Sequence, residues 1–375
     1  MAPDLTASYD PAIAHSDDEI AQVLRGLAER DPALGTNCET TMLYRARAVH
    51  DPTVRPALAS GLRKLGRKLA ALGDHATAVA LVREAVEVYR GLAARRPDAF
   101  HAALADSLDD LGGELAAAGW LEAAGSARRE VVQLVRALAA REPEPFVPRL
   151  AASLSTLGTV LAELGQHDAA LAAAREVVDL HRGLAGQQPD RLRPDLAGSL
   201  YDLSLRNYKL GNTMSAIAAV REAAEIYRQL AAGEPDTFQL DLASSLSNLG
   251  LWLGDIGEWG AVLSVGREAV ELARVLGSRD AGGFEPALAG SLSNLSRAHL
   301  KVGQHDAALT AMTESVALSR ALVSRDGDAR LLDLAGGLHN LGIVRAARGE
   351  PALAQEAFDE AAAIRAKLAA PSSVR

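Results

Sequence analysis

Residues 150–189 read LAASLSTLGTVLAELGQHDAALAAAREVVDLHRGLAGQQP, and this stretch decides the fold. Leu150, Leu154, Leu157, Leu161 and Leu164 fall at i, i+4, i+7, i+11 and i+14, the spacing of one stripe along an α-helix. Gly165 closes that helix, because a chain leaving a helix through a left-handed turn favours a residue without a Cβ. Ala170, Ala173, Val177, Leu180 and Leu184 then repeat the helical period. Pro189 is read as the stop of this second helix, with Pro194 in the first turn of the next. The stretch is a helical hairpin.

The hairpin recurs every 46 residues, seven times, without insertion or deletion. Leucine stands at 58, 104, 150, 196, 242, 288 and 334, and glycine at 73, 119, 165, 211, 257, 303 and 349. A second leucine series closes the units at 92, 138, 184, 230, 276, 322 and 368. A fixed period of this size means stacked units, each burying its apolar face on its neighbours. Ser107, Ser153, Ser199, Ser245 and Ser291 share one position with Gly61 and Gly337, so a small residue is expected where two helices approach closely. Each buried leucine stabilises by roughly 1.5–3 kcal/mol, so the shared leucines dominate the stacking energy. The fold predicted is all-α: a right-handed α-solenoid of antiparallel hairpins, with seven full repeats over 54–370 and a tail at 371–375.

Residues 1–53 form a degenerate N-terminal capping pair in this reading. Ser16-Asp17-Asp18-Glu19 is a capping box opening a helix through about Arg30. Met42–Pro52 resembles the end of a second helix, because Tyr44-Arg45 matches Tyr89-Arg90 and Pro52 matches Pro97. The final helix carries Gln355, Glu356, Asp359, Glu360, Arg365 and Lys367, the polar outer face that a terminal repeat needs. The linker proline at 97, 143, 189 and 235 gives way to Ala281 and Gly327, so the linkers SRDAGGF and SRDGDAR are expected to be looser.

Composition excludes several function classes. Lys and Arg number 39 against 48 Asp and Glu, a formal charge of −9, so nothing steers the whole chain toward nucleic acid or an anionic membrane. No apolar run approaches a membrane span, and an N-terminus bearing Asp4, Asp10, Asp17 and Asp18 is not read as a signal peptide; a cytoplasmic, bacterial protein is expected. Cys38 is the single cysteine, which excludes an intrachain disulfide and a thiolate zinc cluster. His75, His167 and His305 follow the turn glycines 92 or 138 residues apart and cannot converge on a metal. No phosphate loop, dinucleotide fingerprint, nucleophile elbow or paired-histidine motif is present, so no cofactor, metal or catalytic residue is expected.

The pattern Leu157-Gly158, Leu161, Gly165, Ala170 and Val177, with a proline after the second helix, resembles the tetratricopeptide repeat. The usual unit of about 34 residues is lengthened by about 12, as in the long-helix variety of kinesin light chains and bacterial regulators. Leucine or alanine occupies most of the family's aromatic positions, and Asn207, His299 and Arg345 replace a core leucine. The resemblance implies a concave groove lined by the first helices and holding a peptide. Carried over by position, the groove holds Arg63, Arg67, Asp106 and Asp109, then Ser155, Thr159 and Glu163. It continues through Tyr201, Tyr208, Lys209, Ser247 and Asp255 to Ser293, Arg297, Lys301 and His339, with Asn248, Asn294 and Asn340 beside it.

Each of these residues has a structural reading as well. Asp109, Asp110 and Glu114 stand one period after Arg63, Lys64 and Lys68, which makes an ion-pair ladder between repeats the main account and a carboxylate clamp the alternative. The asparagines either bond a peptide backbone or cross-link neighbouring helices. Tyr201 and Tyr208 with Arg206 and Lys209 are a candidate hot spot, or the tyrosines fill the space left by Asn207. Arg90, Arg136, Arg182, Arg228, Arg274 and Arg320 recur beside carboxylates such as Glu87, Asp179, Glu225 and Glu271, read as surface pairs within one helix. The function expected is a scaffold recruiting a protein or peptide in units four to six. The alternatives are a sensing module acting in trans and an accessory subunit or unusual enzyme of a biosynthetic pathway. A second copy of the chain, met through the terminal repeats, is the other partner considered.

Overall fold

The computed structural model describes residues 32–187, 189–279 and 284–369. Among them are fifteen α-helices and no strand. Helix α1 covers Pro32–Ala48 and, after a short 3-10 turn, α2 covers Arg55–Ala71 and α3 His75–Arg95. Then come α4 (Pro97–Ala117), α5 (Leu121–Ala139), α6 (Pro143–Glu163) and α7 (His167–Gln187). A second unit holds α8 (Pro189–Lys209), α9 (Thr213–Gly233), α10 (Pro235–Asp255) and α11 (Trp259–Arg279). It continues through α12 (Glu285–Lys301), α13 (His305–Asp326), α14 (Leu331–Ala347) and α15 (Pro351–Ala369). The chain divides into compact units at Met1–Gln187 and Gln188–Arg375. Within each unit successive helices pack as hairpins, the arrangement of an α-solenoid.

The turn glycines behave as their spacing predicts: Gly73, Gly119, Gly165, Gly211, Gly257, Gly303 and Gly349 all have φ between 72° and 86°. Side chains with a Cβ rarely adopt that conformation. One leucine column, Leu62, Leu108, Leu154, Leu200, Leu246, Leu292 and Leu338, is at most 3 % exposed throughout. The small-residue positions are also explained. A Cβ on Gly61 would lie 2.9 Å from Thr41 Oγ1 of α1, and the equivalent Ser107 and Ser245 are fully buried. Those hydroxyls donate to their own helix at Ala103 O (2.9 Å) and Asp241 O (2.8 Å), so burial leaves no unpaired donor.

The prolines act differently from the reading above. Pro97, Pro143 and Pro235 do not merely end a helix; each is the first residue of the next one, where the missing N–H would have no partner in any case. The first helix of those units therefore begins about two turns earlier than its leucine stripe. Pro194 accordingly sits inside α8 rather than in its first turn, and Pro148 is inside α6. The capping box at 16–19 and the helix through Arg30 lie outside the described residues, as do most of the linker SRDAGGF and the tail. The linker SRDGDAR is no slack connection. It forms a 3-10 turn, Gly327–Arg330, with Arg325 bonded to Asp326 and Glu285 and Lys367 to Asp328.

Charge pairs join the second helices in a register that the spacing did not reveal. Arg90 binds Glu130 (2.9 Å), Arg136 binds Glu176 (2.6 Å), and in the second unit Arg228 binds Glu268 (2.8 Å), Arg274 Glu314 (2.8 Å) and Arg320 Glu360 (2.7 Å). Each arginine reaches 40 residues ahead, six short of the repeat. Six residues correspond to about 9 Å of helix, a gap that the long arginine and glutamate side chains help to span. The pairs within one helix occur too, at Glu87 (2.6 Å) and Glu225 (2.5 Å), but the ladder between helices is the regular feature. Arg45 of α1 bonds Glu84 of α3 in the same manner, so α1 takes the place of a preceding second helix.

Candidate functional site

In the first unit the charged groove candidates neutralise one another. Arg63 donates from Nε to Asp110 (2.5 Å) and from Nη1 to Asp106 (3.1 Å), and Asp106 also takes Arg149 of α6. Asp109 pairs with Arg128 (3.0 Å) and Glu114 with His75 (2.9 Å). The expected ladder therefore exists, with corrected partners. Lys64 and Lys68 meet no carboxylate among the described residues, while Arg63 reaches 47 residues ahead instead of 46. Side chains tilt toward the N-terminus of their helix, so a given spot is covered by a residue about one position further on. Arg67, exposed beside Lys64 and Lys68, is the remaining cation of the set.

In the second unit the same offset of 47 links α8 to α10. Asn248 Nδ2 donates to Tyr201 Oη (2.9 Å), and Tyr208 Oη donates to Asp255 (2.8 Å). Burial pushes the Tyr201 hydroxyl up from its ordinary value, against the Asn248 bond; the hydrogen bond to Asp255, then burial, raises that of Tyr208. Tyr208 also stacks on Trp252, with centroids 4.7 Å apart and planes at 19°. Trp252 is 1 % exposed, whereas Tyr208 keeps 36 % of its surface open. Asn207 beneath them is 3 % exposed; its Nδ2 donates to Leu203 O (3.1 Å) and its Oδ1 is buried without a partner. Arg206 acts electrostatically on Asp202, one turn back. Lys209 is exposed at the end of α8.

One step further along, α12 and α14 flank an open cavity of about 230 Å³ with α13 at its base. Asn294, Arg297, Lys301 and Asn340 line it together with Ser293, over an apolar floor that includes Met312 and Val344. A second cavity of about 480 Å³ shares Ser293 and Asn340 with the first. Arg297 and Lys301 both stand over the Trp259 ring of α11, 5.8 Å and 5.9 Å from its centroid. Arg297 has room because residue 254 is glycine; a Cβ there would lie 2.7 Å from its Nη2. Its Nε and Nη2 are buried and carry no hydrogen bond. Asn294 and Asn340 make no hydrogen bond among the described residues, unlike Asn248. His339 lies apart from these groups, its ring 5.3 Å from Phe358.

Two residues that sequence reasoning overlooked, Trp252 and Trp259, organise this surface. A signal was available in the register column 70, 116, 162, 208, 254, 300 and 346, which reads Ala, Ala, Ala, Tyr, Gly, Leu, Ala. The glycine marks the one place in that column where a neighbour's side chain can enter. Among the described residues no three His, Cys, Asp or Glu side chains come together as a metal cluster. No helix among them is long and apolar enough to cross a membrane.

These hairpins and their interlocking registers define a helical repeat protein of the α-solenoid class. More narrowly, the model of the tetratricopeptide repeat matches residues 150–190 and 288–327, and hairpins of the same register recur through the described residues. Among solved structures, BtubC from P. vanneervenii is similar at 23% identity and a TM-score of 0.50, over 68% of this chain and 95% of that one. This likeness concerns the fold alone. A putative kinesin light chain of P. anserina with nearly identical TPR-like repeats is similar at 20% identity and a TM-score of 0.44, covering 58% of this chain and 96% of that one. No curated protein matches the sequence.

Proposed function

We propose that the chain is a scaffold that recruits a protein or peptide partner on the first-helix face of residues 188–375, centred on α10, α12 and α14. The tetratricopeptide repeat is in general a fold for protein–protein interaction. The observation that carries the reading is the coincidence of rare residues on this face. Aromatics are 4% of the chain, yet this face holds Tyr208, seated on the buried Trp252, and Trp259 under Arg297 and Lys301, which line an open cavity. Aromatic and arginine side chains carry most of the energy in protein interfaces. In the first unit, by contrast, Arg63, Asp106, Asp109 and Asp110 are committed to one another and to neighbouring helices.

Of the asparagine and tyrosine candidates, Tyr201 on α8 and Asn248 on α10 serve as a cross-link in this reading. Asn294 and Asn340 are the amides free to bond a partner backbone. The test is capture by the immobilised full chain from a lysate of the source organism, quantified by mass spectrometry. The triple variant Arg297→Ala, Lys301→Ala, Asn340→Ala is compared with a control, Arg67→Ala with Lys68→Ala, in the other unit. A protein held by wild type and control but lost from the triple variant, at unchanged helical content, is expected. Equal retention by the triple variant refutes the reading.

A further inference from the structure

The cavity between α12 and α14 has an unbalanced chemistry. Most paired arginines find carboxylates, as Arg63, Arg90, Arg136, Arg228, Arg274 and Arg320 do within 3.1 Å, while Arg129 and Arg345 bond the oxygens of Gln166 and Leu353. Arg297 does neither. It is partly buried, its Nε and Nη2 reach no acceptor among the described residues, and the groups its charge meets are the Trp259 ring and the neutral hydroxyl of Tyr208. A buried charged donor without an acceptor is costly, and such groups in a native fold call for an explanation such as an absent ion. Lys301, one helical turn further, stands over the same ring and also meets no carboxylate among the described residues. Two like charges one turn apart repel, so the pair raises the energy of the empty cavity and lowers it when an anion enters.

The remaining lining completes a receptor. Ser293, Asn294 and Asn340 add a hydroxyl and two amides that make no hydrogen bond among the described residues, and none of the described residues lining the cavity is a carboxylate. Two positive charges and three neutral donors match a dianion with several oxygens better than a carboxylate with one charge and two oxygens. The geometry points to a receptor for a phosphate monoester, carried by the partner segment that docks on this face. The claim rests on the reading of this face as the partner surface, and it specifies the ligand chemistry. The neighbouring cavity of about 480 Å³, which shares Ser293 and Asn340, gives room for the chain on which the phosphate is borne.

Calorimetric titration of the full chain tests this with three probes: phenyl phosphate, benzoate as the monoanionic isostere, and a short phosphoserine peptide with its unphosphorylated counterpart. Phenyl phosphate is expected to bind at least tenfold more tightly than benzoate. Arg297→Gln and Lys301→Gln should each weaken it about tenfold, while Arg67→Gln at the equivalent position of α2 leaves it unchanged. Tighter binding of the phosphopeptide than of phenyl phosphate supports a phosphorylated side chain of the partner segment; the reverse order overturns that bearer in favour of a small phosphorylated compound. Benzoate binding as tightly as phenyl phosphate, or phosphate binding that Arg297→Gln leaves intact, overturns the proposal. So does the absence of binding to both phosphate probes. If partner capture is still lost in the triple variant under that last outcome, the scaffold reading stands and only its phosphate chemistry falls.

Discussion

Asn207 offers the sharpest test of how this array is held together. It occupies a column that is leucine at 69, 115, 161 and 253, where those side chains are 1 %, 6 %, 4 % and 2 % exposed. Asparagine and leucine have the same number of side-chain heavy atoms, and the equivalent position accepts leucine in four other units, so Asn207→Leu mainly changes chemistry. The variant removes a buried Oδ1 that has no partner, which is worth about 1–3 kcal/mol. It adds apolar burial worth about 1.5 kcal/mol. Against these it loses the bond from Nδ2 to Leu203 O, about 1 kcal/mol, from a carbonyl within the same helix. The balance is a stabilisation of about 1.5–3.5 kcal/mol. For a unit of this size that raises the thermal midpoint by roughly 5–10 °C, read by circular dichroism alongside urea titration. The converse variant, Leu253→Asn, should destabilise by a comparable or larger amount. A lower or unchanged midpoint for Asn207→Leu would refute the view that stacking in the leucine columns sets stability.

Other perturbations separate packing from charge. Gly66→Ala brings a Cβ to 2.5 Å from Val82 Cγ2 and 3.2 Å from Ala78 O; it should lose about 1–3 kcal/mol in urea titration despite the helix propensity gained. Gly91→Ala, whose Cβ would meet nothing within 4 Å, should gain about 0.5–1 kcal/mol, and equal effects from the two variants would contradict the close-approach account. A double-mutant cycle on Arg274 and Glu314, an exposed pair, should give a coupling of about 0.2–1 kcal/mol that shrinks in high salt. A coupling above that range, unaffected by salt, would make the ladder more than a surface device. Residues 1–53 are proposed to cap the array, since α1 seats Cys38 and Thr41 in the core and bonds Glu84 through Arg45. Deleting them should lower the thermal midpoint or cause aggregation, and an equally stable, soluble truncation would argue against a cap.

Periodicity made the hairpins legible, and it also limited what could be read. Turn glycines and leucine columns recur because every unit meets the same backbone and packing demands, so Gly165 or Leu154 speaks for its whole column. Which residues of neighbouring units touch is a different matter, since it depends on helix stagger and side-chain tilt. Arg63 therefore meets Asp110 rather than Asp109, and Arg90 reaches Glu130 as well as Glu87. Proline misled for a related reason: its inability to continue a helix describes both the end of one helix and the first residue of another, and here the second applies. The candidate site was partly visible. Arg297, Lys301, Asn294 and Asn340 came from the family's groove positions, and the structure places all four around one cavity. Tyr201 and Asn248 were also chosen, yet they satisfy each other. Trp252 and Trp259 escaped notice because an isolated tryptophan in a helical stripe reads as core, and the gap that admits Arg297 is made by a side chain that Gly254 lacks.

Hydrogen exchange of the full chain, alone and with the captured partner, tests the scaffold claim most directly. Binding on the first-helix face should slow exchange in α10, α12 and α14 while α11, α13 and the arginine ladder beside them remain as in the free protein. Protection confined to those second helices, or to residues before 188, would contradict it.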